Sequence, residues 1–154
     1  MLRPYKPMNY HHRFHVRAPI ASVSDFHSHA SSLGAITPPP VTVRDVQSPD
    51  TLHDGDTMAF TLAFAFVQLR WVARIENVTP NGFIDRQTQG PFRAWVHTHA
   101  YAQIDANTTD VLDNVHAELR TDFPWLFVGL GMWLSMPMLF AYRAWKTKQL
   151  LEMK

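Results

Sequence analysis

His97 and His99 stand two residues apart in the alternating stretch from Arg93 to Ile104. Both imidazoles therefore leave the same side of an extended strand. Asp85 and Gln87 precede them, and Asp113 follows, in flanking stretches of the same alternating kind. An imidazole with an ordinary pKa of about 6.5 exchanges protons near neutrality. A neighbouring carboxylate raises its proton affinity, and burial lowers it. Three chemistries are open to such a set. His97 or His99, held by Asp113 or Asp85, can act as a general acid or base. The two histidines with one carboxylate can hold a metal ion. Or the group can form the polar end of an apolar pocket and orient a ligand there. The histidine spacing is common in strands by chance, so hydrogen-bonded His–Asp pairs are expected, with no metal and no cofactor. Asp85, Gln87 and Asp113 either touch a ligand or brace the histidines and strand ends; both readings stand. The chain has no cysteine, which excludes thiolate catalysis, disulfides and zinc–sulfur sites. It has no phosphate loop and no nucleophile elbow.

The elements that position these groups are strands with clear punctuation. Val41 to Val46 is one. Thr57 to Phe66 and Leu69 to Val78 follow, after an Asp54-Gly55 turn. Asn81-Gly82 is the strongest hairpin signal. Phe83 to Gln89, Arg93 to Ile104 and Thr109 to Leu119 complete the series, separated by Gly90-Pro91 and by Asp105-Ala106-Asn107. Repeated short turns imply an antiparallel meander. With the turns at the hairpin tips, Ile75 pairs with Asp85, Asp85 with His97, and His99 with Asp113. One face then carries Leu69, Trp71, Ala73, Ile75, Phe83, Asp85, Gln87, Trp95, His97, His99, Tyr101, Val111, Asp113 and Val115. The other carries Arg70, Arg74, Glu76, Arg86, Thr88, Thr98, Asn114, His116 and Glu118 and belongs to solvent. The aromatic face must look inward. Its carboxylates and imidazoles must pair or line a wet cavity, because an unpaired buried charge costs several kcal/mol.

Residues 8–17 alternate as well, with Tyr10, His12, Phe14 and Val16 on one side and His11, Arg13, His15 and Arg17 on the other. His11, His12 and His15 are expected to be exposed. Pro19 opens a short helix with Val23, Phe26 and His27 on one stripe, ending near Leu33-Gly34. Neither the early histidines nor His27 with His29 is expected to bind metal. Pro38-Pro39-Pro40 is a stiff spacer. Residues 123–142 lack charge and read as one long helix bent at Pro137, apolar all round and so buried on most sides. Met132, Met136 and Met138 on it are core or adaptable lining. Twenty uncharged residues also meet the length rule for a membrane span. Two prolines, two glycines and the preceding meander favour a core helix gripped by the sheet, so membrane contact is the less favoured reading.

The run Gly90-Pro91-Phe92-Arg93-x-Trp95-x-His97-x-His99, preceded by Phe83-Ile84-Asp85-x-Gln87 and Trp71-x-Ala73-x-Ile75, resembles the SRPBCC (START/Bet v 1-like) superfamily. Within it, the sequence is similar to the bacterial ligand-binding SRPBCC domain group related to polyketide cyclase/dehydrase-like proteins. Thr109-x-Val111-x-Asp113-x-Val115, Phe140-Ala-Tyr142-Arg143 and the Phe14 to Pro19 segment fit the same pattern, which spans roughly residues 9–150. The resemblance implies an α+β helix-grip fold: a seven-stranded antiparallel sheet around a long C-terminal helix, with two short helices after the first strand. It also implies a hollow that takes apolar ligands. The final helix departs from the pattern in being more apolar and in containing Pro137.

At 154 residues the chain is the size of one domain. Hydrophobic residues make up 46% and charged ones 18%, which excludes a disordered chain. A net charge of +1 offers no footprint for nucleic acid, and Trp71, Trp95 and Tyr101 are cavity wall, not a stacking platform. The start has no apolar signal region, so a cytoplasmic protein is expected. The function expected is binding of a hydrophobic small molecule, such as a lipid, isoprenoid or polyketide-like compound. Trp71, Phe83, Asp85, Gln87, Trp95, His97, His99, Tyr101, Asp113, Met132 and Met136 would contact it. The first alternative is a cyclase/dehydratase-type enzyme using His97 or His99, with Asp85 or Asp113. The second is a protein that docks on a membrane or partner through the apolar helix.

Overall fold

Short turns between alternating segments produce a meander of six consecutive strands, and the first strand of the chain lies against the last. The computed structural model describes residues 6–152. Its elements run β1 (Met8–Val16), α1 (Ile20–Ser28), α2 (Ser32–Ala35), β2 (Thr42–Gln47), β3 (Thr57–Phe64), β4 (Val67–Thr79), β5 (Gly82–Gln89), β6 (Phe92–Asp105), β7 (Thr108–Leu119), α3 (Trp125–Leu134) and α4 (Met136–Leu151). The strands form one antiparallel sheet of order β1-β7-β6-β5-β4-β3-β2. This is the α+β helix-grip arrangement, with both short helices in place after β1.

The register is the one the turns imply. Ile75 pairs with Asp85, Asp85 with His97, and His99 with Asp113. The β4–β5 tip is Pro80-Asn81, one residue earlier than Asn81-Gly82. An irregularity between Glu76 and Thr79, with Asn77 at φ 53°, shifts the register by one more residue and brings Ile75 opposite Asp85. Gly82 opens β5 at φ 138°, and a Cβ there would run into the His99 carbonyl oxygen. Only glycine lets β5 approach β6 this closely beside His99.

Odd-numbered side chains turn inward from Leu69 to Ile75, Phe83 to Gln87, Trp95 to Tyr101 and Val111 to Leu119, while Val78 and Phe92, next to the register shifts, pack inward from even positions. Trp71 meets Trp95 edge-on at 5.3 Å between ring centroids and lies parallel to Phe60 at 6.2 Å. A smaller cluster of Val16, Val23, Tyr101 and Val111 sits under α1.

The C-terminal segment differs from the single bent helix the sequence suggests. It is two helices at 51°, broken at Ser135. Pro137 lacks an N–H and its ring crowds the carbonyl four residues earlier, so a helix restarts there more readily than it continues. The Ser135 hydroxyl donates to the Met132 carbonyl at 2.7 Å and satisfies one group freed by the break. Nor is the segment buried on most sides: Phe123, Phe127, Leu134 and Met138 are largely exposed. The break lets α3 turn along the end of the sheet, where Gly129 packs on Leu119. Among the described residues no single helix is long and apolar enough to cross a membrane; α3 and α4 together meet that test only as a bent pair.

Candidate functional site

Between the inner face of the sheet, the α2–β2 loop and the α3–α4 break lies a cavity of about 380 Å³. Leu33, Phe60, Leu62, Trp71, Trp95, Met132 and Met136 wall it. The lining residues Pro39, Pro40, Phe64 and Met138 are exposed and mark its mouth. At the other end the apolar wall stops at Asp85, His97, His99 and Arg143.

Strand pairing places these groups. His97 stands directly across from Asp85 on β5, and His99 directly across from Asp113 on β7. The shortest contacts are the diagonal ones. His97 Nε2 lies 2.8 Å from Asp113 Oδ1, and His99 Nε2 lies 2.7 Å from Asp85 Oδ2. The opposed pairs are longer, 3.4 Å from His97 Nδ1 to Asp85 Oδ2 and 3.5 Å from His99 Nδ1 to Asp113 Oδ1. Each histidine thus lies between two carboxylates. Phe83 stacks on one face of His99 at 4.2 Å and His97 lies over the other at 3.8 Å, which fixes the ring.

The electrostatics follow from burial opposed by charge. Burial pushes the Asp85 and Asp113 carboxyls up, but the histidine hydrogen bonds and the charges of His97, His99 and Arg143 outweigh it. Both acids end below the usual carboxylate range, Asp113 strongly so. Burial, with the neighbouring His97, lowers the proton affinity of His99 despite Asp85. Burial also lowers the Arg143 pKa against the pull of Asp113 and Asp85. The Arg143 Nε is buried without a hydrogen-bond partner, and its guanidinium lies 5.4 Å over the Phe140 ring.

Of the residues singled out in the sequence, Trp71, Phe83, Asp85, Trp95, His97, His99, Met132 and Met136 line the cavity. Asp113 stands behind the histidines, facing a small hollow with Phe14 and Thr147. Gln87 does not face the cavity. Its amide bonds the backbone of Phe92 on both sides, at 2.7 and 3.2 Å, and holds the β5–β6 turn. Tyr101 is buried under α1, 5.3 Å from the His27 ring. Two further cavity residues, Arg143 and His27, were not among the expected ligand contacts. Arg143 sits one helical turn beyond Phe140. His27 lines the cavity on α1, its Nδ1 2.9 Å from the Val23 carbonyl, its pKa lowered by burial to about 4. His12 is half-buried on the inner side of β1, not exposed as expected, and its Nδ1 is buried without a partner. The alternation of Tyr10, His12 and Phe14 carried that signal.

No family model and no curated protein matches the sequence. Solved structures do match. The Zhui aromatase/cyclase from Streptomyces sp. R1128 superposes with a TM-score of 0.70 at 14% identity, over 94% of this chain and 96% of that one. Norcoclaurine synthase from Thalictrum flavum, in complex with dopamine and hydroxybenzaldehyde, gives 0.69 at 11% identity over 94% and 86%. The di-domain aromatase/cyclase StfQ of the steffimycin biosynthetic pathway gives 0.73 at 6% identity over 94% and 50%. These structures share the helix-grip fold seen here. At these identities the likeness is one of fold and assigns no role to this chain. The hollow between the sheet and the C-terminal helices is the cavity just described.

Proposed function

We propose that this chain binds an apolar small molecule carrying one oxygen-rich end, of the lipid, isoprenoid or polyketide-like aromatic kind. The observation that supports it is a cavity of about 380 Å³ whose apolar wall ends on a compact set of imidazole, carboxylate and guanidinium groups. Ligand sites run from roughly 300 to 1,000 Å³ and combine this kind of wall with a few orienting polar groups. Arg143 and the imidazole N–H groups offer donors to a carbonyl, phenol or carboxylate oxygen. The same reading takes residues 9–150 as one ligand-binding domain of the bacterial group named above, acting in the cytoplasm and without nucleic acid; a chain free of cysteine is in keeping with it. Native mass spectrometry of purified protein, with solvent extraction of what it carries, tests the proposal. A bound or retained apolar organic is expected. Absence of any carried organic, together with failure to bind a panel of naphthols and fatty acids, would overturn it.

The His–Asp contacts at the cavity floor favour a second reading, a cyclase/dehydratase-type enzyme. A histidine takes a proton from carbon alpha to a carbonyl. The C–H electrons form an enolate whose oxygen is held by Arg143; they then return to form the C=C bond as the C–O bond at the β carbon breaks, and the histidine gives its proton to the departing hydroxyl, which leaves as water. Turnover of poly-β-ketone analogues that is lost in both His97→Ala and His99→Ala supports it. Unchanged turnover in both folded variants removes it.

A further inference from the structure

We infer that Asp85, His97 and His99 form a binding site for one transition-metal dication, with Asp113 as its outer support. One ligand atom from each of the three lies within 4.8 Å of the others. A tetrahedral zinc-type ion with bonds of about 2.0–2.2 Å sets its ligand atoms about 3.3 Å apart. The Asp85 Oδ2 distances to His99 Nε2, 2.7 Å, and to His97 Nδ1, 3.4 Å, bracket that spacing. Small side-chain rotations replace one hydrogen bond by three metal bonds.

The arrangement around these atoms distinguishes a metal site from an ordinary polar cluster. The three ligating residues all line the cavity, whereas Asp113 does not. Asp113 meets the far nitrogen of each ring: His97 Nε2 at 2.8 Å and His99 Nδ1 at 3.5 Å. When His97 Nδ1 and His99 Nε2 hold an ion, both remaining N–H groups point at one carboxylate. That is the carboxylate–histidine–metal relation, which fixes the tautomer and raises ligand basicity. Imidazole and carboxylate without thiolate suit zinc, iron, cobalt or nickel.

The position left open faces the cavity and Arg143. Two carboxylates, one guanidinium and a dication leave a single positive charge, which an anionic oxygen neutralises. The fourth ligand is therefore an enolate, phenolate or carboxylate oxygen of the bound molecule. This last step rests on the binding reading above; the metal site itself does not, because it is tested with the ion alone.

The experiment is a Co2+ and Zn2+ titration of untagged protein by calorimetry, with visible spectra for Co2+. One equivalent of Co2+ with d–d absorption is expected. Asp85→Asn and His99→Gln should weaken binding at least 100-fold and remove the band. Asp113→Asn, which alters no ligand atom, should weaken it 10- to 100-fold while keeping a band. His11→Ala and His116→Ala, on the outer face, should change nothing. No stoichiometric binding, or binding indifferent to Asp85→Asn and His99→Gln, overturns the inference. Should those variants fail to fold, Zn2+ is added to the wild-type protein and the ring nitrogens are followed by NMR. Shifts at His97 and His99 support the site, and unmoved signals there overturn it. An apolar organic recovered from a protein that binds no metal leaves the binding reading intact.

Discussion

At the floor of the cavity, Asp85 and the two histidines come from β5 and β6, in the middle of the sheet, with Asp113 of β7 behind them. At the mouth, Pro39 and Pro40 come from a loop, Phe64 from the end of β3, and Met138 from the first turn of a helix restarted after a break. The floor groups are held by two carboxylates and two stacked rings, and His97 is only 3% exposed. Phe64 and Met138 are 52% and 69% exposed. On the proposed binding reading, a ligand is oriented by a part of the fold that cannot rearrange cheaply and enters past side chains that are largely exposed.

The largest test of that division compares neighbours on α4. Phe140 is buried against Tyr10, His12 and His97, at ring distances of 5.3, 5.5 and 5.6 Å. Phe140→Ala should cost about 3–5 kcal/mol of stability in a denaturant titration, as buried Phe→Ala changes do. Met138→Ser, two residues earlier, should stay within about 0.5 kcal/mol. Equal losses would mean that the mouth is structural after all.

Acid should reach the floor before the mouth. His27 holds its proton below its ordinary pKa of 6.5, at about 4. Between those values the unfolded chain binds a proton that the folded chain refuses, so stability falls as pH drops from 6.5 to 4. The loss is on the order of 3 kcal/mol. Asp113 adds a second decline with its own window. Its folded pKa lies below 3.8, so its contribution is present above that value and fades only as pH falls further. Urea midpoints from pH 7 to pH 4 should flatten in His27→Gln. A slope unchanged by that substitution would place the titrating group elsewhere.

Much of this geometry was legible in the sequence because parity is robust. Once Asp105 to Asn107 mark a turn, His99 faces Asp113, and the alternation of aromatic residues puts Asp85 and His97 on the same inner face. The β4–β5 tip falls one residue earlier than Asn81-Gly82, and the irregularity at Asn77 adds the further residue that sets Ile75 opposite Asp85. The diagonal His–Asp contacts were not legible. Register fixes which Cβ atoms face each other, whereas the choice between opposite and diagonal partners is made by side-chain torsions under the crowding of Phe83. The break at Ser135 was misplaced toward Pro137 because a proline acts on the turn before it. Arg143 fits the family pattern, but its place in the site was not legible, because the carboxylates that act on it, Asp113 and Asp85, lie on strands far away in sequence.

Gly82 offers a finer test of the floor alone. Gly82→Ala asks an L-residue to adopt φ 138° and drives its Cβ at the His99 carbonyl. The strain should cost about 1–3 kcal/mol. It should also shift His99 more than His97, seen as larger ring-signal changes at His99 by NMR. The reverse order would mean that the two histidines are held as one unit and not strand by strand.

Phe66 carries the smallest expected effect and the most pointed comparison. It is 95% exposed, at the tip joining β3 to β4, just past the mouth residue Phe64, and does not line the cavity. Phe66→Ser should leave stability within about 0.5 kcal/mol, because no buried contact is lost. The affinity for a retained aromatic should also be unchanged at equilibrium, since the free and bound states lose the same exposed ring. Phe64→Ser removes a ring that borders the ligand's path and should weaken binding without touching the pH slope set by His27. If Phe66→Ser weakens binding as much as Phe64→Ser, the bound molecule extends beyond the mouth onto the hairpin tip. The cavity of about 380 Å³ would then hold only part of it.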